Sequence, residues 1–155
     1  FSATADDLAV AAEQYEQFFN VHMMAPFLIN QGVKPLLHGV GGDPADIIHI
    51  TDINVDNPTP QFDIYGTTKA GLHNMMLVLA KKFAPHIKVN AIAPGPVLFP
   101  KHLTMRVKRK ILSETPLEKE GTEESVYLAI EGLLKNPFIT GASIPVDGGR
   151  RLSKQ

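Results

Sequence analysis

Tyr65 and Lys69 stand four residues apart in the run Tyr65-Gly66-Thr67-Thr68-Lys69. That spacing puts both side chains on one face of a helix, one turn apart. An ammonium held beside a phenol favours the phenolate, so the sequence predicts a Tyr65 pKa lowered toward neutrality. A phenol tuned in this way can give or take a proton near pH 7. The pattern is weak alone, because many helices carry it by chance. Its neighbours make it informative: Thr51-Asp52 one loop earlier, and the turn Pro94-Gly95-Pro96 after it. An ionised carboxylate can only accept hydrogen bonds. Asp52 therefore suits a substrate that presents N–H groups, or one whose ring nitrogen must be protonated.

The elements that must position these residues follow from the periodicity. Residues 2–34 read as helical, with Thr4 as cap and Asp6 and Asp7 in the first turn. Leu8, Ala11, Ala12, Tyr15, Phe18, Phe19, His22 and Met23 form its apolar face, and Pro26 is expected to kink it or start a new segment. Residues 38–45 are a glycine-containing loop with no Lys-Ser/Thr after it, hence not a phosphate loop of that type. Asp46–Thr51 is a short buried strand, residues 53–61 a loop, and residues 62–84 a helix poor in polar surface. Such a helix is expected to be covered on two sides, by its own sheet and by a subunit partner. Lys88–Ala93 is a second strand. Residues 97–118 carry a basic, helix-like run from Arg106 to Lys110, read as a solvated face. Thr122 caps a further helix with a stripe of Val126, Ile130, Leu133 and Leu134. Ser143–Asp147 is a third strand, before Gly148-Gly149. Helix, strand, helix, strand, helix, strand implies parallel strands with right-handed crossovers, an α/β layered fold. Ligands in such sheets bind beyond the carboxyl ends of the strands, where Asp52 and Pro94-Gly95 lie.

Composition narrows the function classes. The chain has 155 residues, 44% of them apolar and 20% charged, with net charge −1. That is enough for one domain, residues 1–155, with a sizeable core. The absence of a basic excess argues against a nucleic-acid surface. No run approaches the ~20 apolar residues of a membrane span. With no cysteine there is no disulfide framework or thiolate zinc site, which fits a cytoplasmic location. The six histidines, at 22, 38, 49, 73, 86 and 102, have no tight ligand spacing, and no metal is assigned.

Five spaced motifs together resemble the C-terminal part of a short-chain dehydrogenase/reductase. They are Asn20-Val21, the strand Ile47–Thr51 ending at Asp52, Tyr65-x-x-x-Lys69, Asn90-Ala91-Ile92-Ala93-Pro94-Gly95, and Thr140-Gly141-Ala142-Ser143 leading to Val146-Asp147-Gly148-Gly149. The resemblance implies a Rossmann-like, doubly wound parallel sheet. It implies Tyr65 as general acid, Lys69 as the residue that lowers its pKa and holds the nicotinamide ribose, and Asn20 as anchor of a relay water. Thr51, Pro94, Gly95, Val97 and Leu98 are implied on the cofactor side, with the turn after the second strand facing the nicotinamide carboxamide. Most family members carry a serine where this chain has Asp52. The aspartate resembles the pteridine reductase branch, and the runs Ile47–Asp52, Lys88-Val89-Asn90 and Val146–Arg150 look like bacterial dihydromonapterin reductases.

The resemblance thus implies NADPH-dependent reduction of a dihydropterin (dihydromonapterin or dihydrobiopterin, with dihydrofolate as a further substrate). NADH stays open as the cofactor. Phe1 and Phe99 are candidates for lining the substrate beside Asp52 and Tyr65, because an aromatic ring stacks on a flat heterocycle. The alternatives are a carbonyl or 3-oxoacyl reductase with Thr51 in the serine role, and a non-catalytic nucleotide-binding fragment. Family members begin with a glycine-rich turn that takes the cofactor pyrophosphate. No such turn stands in these residues, so an N-terminal βαβ segment of roughly 90 residues is expected elsewhere, given the roughly 250 residues of such folds. Pairing of the Asn20 and Tyr65 helices across subunits implies a homotetramer.

Overall fold

The structure, a computed structural model, describes residues 8–153. Thr4, the Asp6-Asp7 turn and Phe1 lie outside the described residues. Three strands, β1 (Ala45–Ile50), β2 (Ile87–Pro94) and β3 (Ser143–Val146), form a parallel sheet in the order β1-β2-β3. Ala45 pairs with Ile87 and Ile50 with Ile92 on one side of β2, and Ala91 with Ser143 and Pro94 with Val146 on the other. The central strand is buried from Ile87 to Ala93, as expected where a parallel strand is covered on both faces.

The two faces of β2 meet different helices. Ile87, Val89 and Ala91 form one core with Met76, Leu79, Ala80 and Phe83 of α3 (Asp63–Phe83). Met76, Leu79, Ile92 and Leu133 are essentially inaccessible to solvent, and each such burial stabilises by about 1.5–3 kcal/mol. On the other face lies α5 (Glu123–Lys135), whose Leu133 O and following Asn136 O accept from the buried Lys88 Nζ at 3.0 and 2.8 Å. The Asp46 carboxylate lies 3.1 Å from the same ammonium, outside hydrogen-bond alignment. Asn90 ties β2 across to the segment before β3, donating to Ile139 O and accepting from Ala142 N. Thr122 and Ser125 close the start of α5 as a reciprocal capping box. Thr104 caps α4 (Met105–Ser113), the helix of the basic run.

The largest departure from the periodicity is near the start. The helical run expected over residues 2–34, with a kink or new segment at Pro26, is α1 (Leu8–Phe19), a π-helical turn (Asn20–Met24) and α2 (Ala25–Val33), and the π-helical turn is what the periodicity did not show. The interruption comes before Pro26, which sits in the first turn of α2. Pro26 comes just after the π-helical turn and, lacking an N–H, cannot donate to a helix carbonyl one turn earlier.

Candidate active site

β2 runs two residues past the end of β1, and the candidate residues gather at the carboxyl ends of these strands. Asp52 follows β1 in an extended conformation and caps a 3-10 turn, Ile53–Val55, with Asn54 N donating to its Oδ1 at 2.8 Å. That bond fixes the carboxylate with Oδ2 toward α3. Tyr65, in the first turn of α3, donates its hydroxyl to Oδ2 at 3.1 Å. Lys69, one turn later, donates from Nζ to Ile50 O at 2.8 Å and lies 5.8 Å from the Tyr65 ring centroid. Asp52, Tyr65 and Lys69 thus form one cluster, as expected.

The electrostatics run opposite to the expectation. Tyr65 is held well above the ordinary phenol range, first by burial, then by the Asp52 charge and the hydrogen bond to it. The reason is which partner the hydroxyl meets. It points at a carboxylate, which favours the protonated phenol, while the ammonium is turned to a backbone carbonyl. Lys69 itself is lowered by burial, with Asp52 opposing. At neutral pH Tyr65 is a proton-bearing phenol.

The other expected residues divide. Asn20 is exposed in the π-helical turn, and its backbone oxygen accepts from Ala25 N; it does not join the cluster. His22 does. Its ring stands edge-on to Tyr65, 5.2 Å between centroids at 85°, and its Nδ1 lies 2.8 Å from Thr68 Oγ1. Phe18 stacks on His22 at 5.4 Å and meets Tyr65 edge-on at 5.7 Å, and Phe62 lies 6.1 Å from Tyr65. Reading Phe18 and His22 simply as an apolar face missed this box of rings around the phenol. Their four-residue spacing was the available signal.

Thr51 is 2% exposed and its hydroxyl donates to Ile92 O at 3.1 Å, so its proton is held inside the sheet. Pro94 to Leu98 form a tight turn beyond β2. Gly95 N donates to Val146 O, Val97 N to Gly95 O at 2.7 Å, and Leu98 adopts φ 53°. A left-handed leucine is costly, and this one is half exposed beside the site. Glycine is required at 95: a Cβ there would stand 2.6 Å from Asp147 Cβ. Phe99 is tied to α4, with Lys108 Nζ 5.4 Å over its ring. Phe1 lies outside the described residues.

A cavity of about 450 Å³ adjoins the cluster, lined by His22, Asn30, His49, Ile50, Lys69 and Leu72 among others. Asn30 Nδ2 donates to His49 Nε2 at 2.8 Å, and His49 Nδ1 is buried with no partner among the described residues. A second cavity, between the 53–62 loop and the outer side of α3, contains none of Asp52, Tyr65 and Lys69.

Comparisons with known proteins give the family and fold. The family model described as enoyl-(acyl carrier protein) reductase matches residues 2–151. The dihydromonapterin reductase of Escherichia coli K12 is 37% identical over 132 residues, covering 85% of this chain and 55% of that protein. The crystal structures of FolM alternative dihydrofolate reductase 1 from Brucella canis and from Brucella suis, each with NADP, superpose with TM-score 0.85 at 28% identity, covering all of this chain and 60% of theirs. The chain thus spans a little over half the length of the relatives it matches.

Proposed function

The chain belongs to the short-chain dehydrogenase/reductase family, and on that footing we propose that the complete protein reduces a dihydropterin to its tetrahydro form with NADPH. The observation that carries this reading is Asp52, an acceptor-only group fixed by Asn54 N and hydrogen-bonded to Tyr65. Beside a ketone oxygen a carboxylate is repulsive. Beside the donor-rich aminopyrimidinone edge of a pterin it is complementary. Two similarities support the choice: to a dihydromonapterin reductase and to the FolM structures with NADP. The rival with Thr51 as hydroxyl donor has against it that the Thr51 proton is held by Ile92 O.

In this reading Lys69 and the Pro94–Leu98 turn hold the nicotinamide end. The cofactor supplies a hydride to a ring carbon of the C=N bond. Reduction leaves a strongly basic ring nitrogen, and Tyr65, the proton-bearing group next to Asp52, protonates it. The Asp52 charge opposes a phenolate at Tyr65, so Lys69 balances the transient charge and solvent restores the proton. Asp52 also accepts from the substrate N–H groups and fixes which edge of the ring faces Tyr65.

The remaining cofactor contacts would come from an N-terminal segment of the same protein that pairs with the outer edge of β1. Ile50 of β1 and Val21 and Ile29 beside it are exposed in these residues, and His49 Nδ1 lacks a partner among them. Such a segment would cover all of these. Exposed apolar residues on α3 (Leu77, Val78) and on α1 (Tyr15, Phe19) favour an association of subunits through these helices.

The test is dihydropterin-dependent oxidation of NADPH by the full-length protein and by its Asp52→Ser variant. The expected outcome is turnover that the serine variant largely loses. A wild-type protein that ignores dihydropterins but reduces ketones or quinones defeats the reading.

A further inference from the structure

We propose that His22 is a positioning residue for Tyr65, an imidazole locked as its Nδ1–H tautomer that holds the plane of the phenol toward Asp52. The inference deepens the reading above and rests on it only for the turnover readout. The tautomer follows from one hydroxyl. Thr68 Oγ1 has a single proton, and it goes to Tyr65 O at 2.9 Å, a carbonyl that can only accept. With both contacts made at once, the threonine oxygen accepts in the 2.8 Å contact with His22, and His22 Nδ1 carries the hydrogen. The chain His22 Nδ1–H to Thr68 to Tyr65 O ties the imidazole to the backbone of the residue whose ring it touches. Edge-on contact at 5.2 Å and 85° blocks one rotation of the phenol, and Phe18 and Phe62 close the others.

Two local features deliver His22 to this place. The π-helical turn Asn20–Met24 adds a residue to the turn, so the side chains around it face directions that a regular helix would not give them. Gly71 of α3 faces that turn: a Cβ at 71 would stand 2.4 Å from Met23 Sδ, so alanine there would displace the Met23 side chain. Burial and the nearby Lys69 ammonium hold His22 neutral, with a pKa lowered to about 4, as this hydrogen-bond arrangement needs for a free Nε2 lone pair.

The test uses the full-length protein with 15N-labelled imidazoles and 13C-labelled tyrosine rings. At pH 7, the His22 resonances are expected to show Nδ1 protonated and Nε2 bare. Thr68→Val, a near-isosteric change, is expected to release that preference. Gly71→Ala, which touches neither ring, is expected to broaden or shift the Tyr65 resonances. In turnover, His22→Ala and Thr68→Val are expected to lower kcat by on the order of tenfold to a hundredfold, the effect of a misplaced reacting group, with KM for NADPH little changed. An Nε2–H or cationic His22 at pH 7 overturns the proposal. So does a Tyr65 ring resonance that is the same in wild type, Thr68→Val and Gly71→Ala. Both readings are made without substrate, so they stand or fall apart from the pterin assignment. If His22→Ala does not fold, Thr68→Val still decides.

Discussion

The Tyr65 hydroxyl and the Asp52 carboxylate, 3.1 Å apart, hold a proton between them at the mouth of the sheet. Asn54 N anchors the other carboxylate oxygen, so the pair is set by backbone on one side and by α3 on the other. Removing the charge tests it. In Asp52→Asn, Tyr65 is expected to ionise at lower pH, measured by its phenolate absorbance. The fall is only part of the elevation, because burial is the larger cause. Asp52→Ser is expected to lose dihydropterin turnover on the order of 10²-fold, the scale of a positioned proton-transfer group. An unchanged Tyr65 titration in Asp52→Asn would falsify the coupling.

Much of this pair was legible in the sequence, and its electrical sign was not. Spacing alone places Tyr65 and Lys69 on one helix face and brings Asp52 to the neighbouring strand end. It says nothing about where a hydroxyl or an ammonium points. The expected lowering of the Tyr65 pKa failed because Lys69 turns to Ile50 O, leaving Asp52 as the partner. Asn20 and His22 show a second limit. Counting by 3.6 residues cannot register a π-helical turn such as Asn20–Met24, which shifts every later side chain around the helix. The strands were easier to read, because short β-branched runs between prolines and glycines have few other fates. β1, β2 and β3 each lie within one residue of the expected limits.

The two imidazoles facing the cavity predict acid sensitivity. Burial lowers both below their ordinary 6.5, and Lys69 pushes His22 further, to about 4. The unfolded chain therefore binds protons in a range where the native protein does not, and stability falls as pH drops from 6.5 toward 4. Urea midpoints of the full-length protein are expected to decline across that interval, and His22→Phe is expected to flatten the decline. An equal decline in His22→Phe would assign the effect to His49 and the carboxylates instead.

Lys88 is the most deeply buried charge among the described residues, 4% exposed. It satisfies Leu133 O and Asn136 O at the end of α5 beside Asp46. Cations suit a helix C-terminus. Lys88→Met would leave two carbonyls and a part-buried carboxylate without their cation, a loss of about 3–5 kcal/mol. Equilibrium denaturation should show this, and Lys88→Met with Asp46→Leu should recover part of it. A loss below about 1 kcal/mol, the size of a surface ion pair, would mean that water reaches this site.

The outer edge of β1 gives the last prediction. Ala45 N donates to His86 O and Thr51 N to Ile92 O, both toward β2. Strand N–H groups alternate sides, so those of Asp46, Ile48 and Ile50 point away from β2, along an edge with no partner strand among the described residues. An exposed parallel edge flanked by apolar side chains is a template for another strand, and the matched region covers only 55% of the dihydromonapterin reductase. If an N-terminal segment of the same protein completes the sheet, these three amides are hydrogen-bonded in the full-length protein. Hydrogen exchange there should be slow at Asp46, Ile48 and Ile50, with protection approaching that of Val89 and Ala91 in the central strand. Fast exchange at all three, with Val89 and Ala91 protected, would mean that nothing pairs with this edge, and the cofactor site would have to be completed from elsewhere.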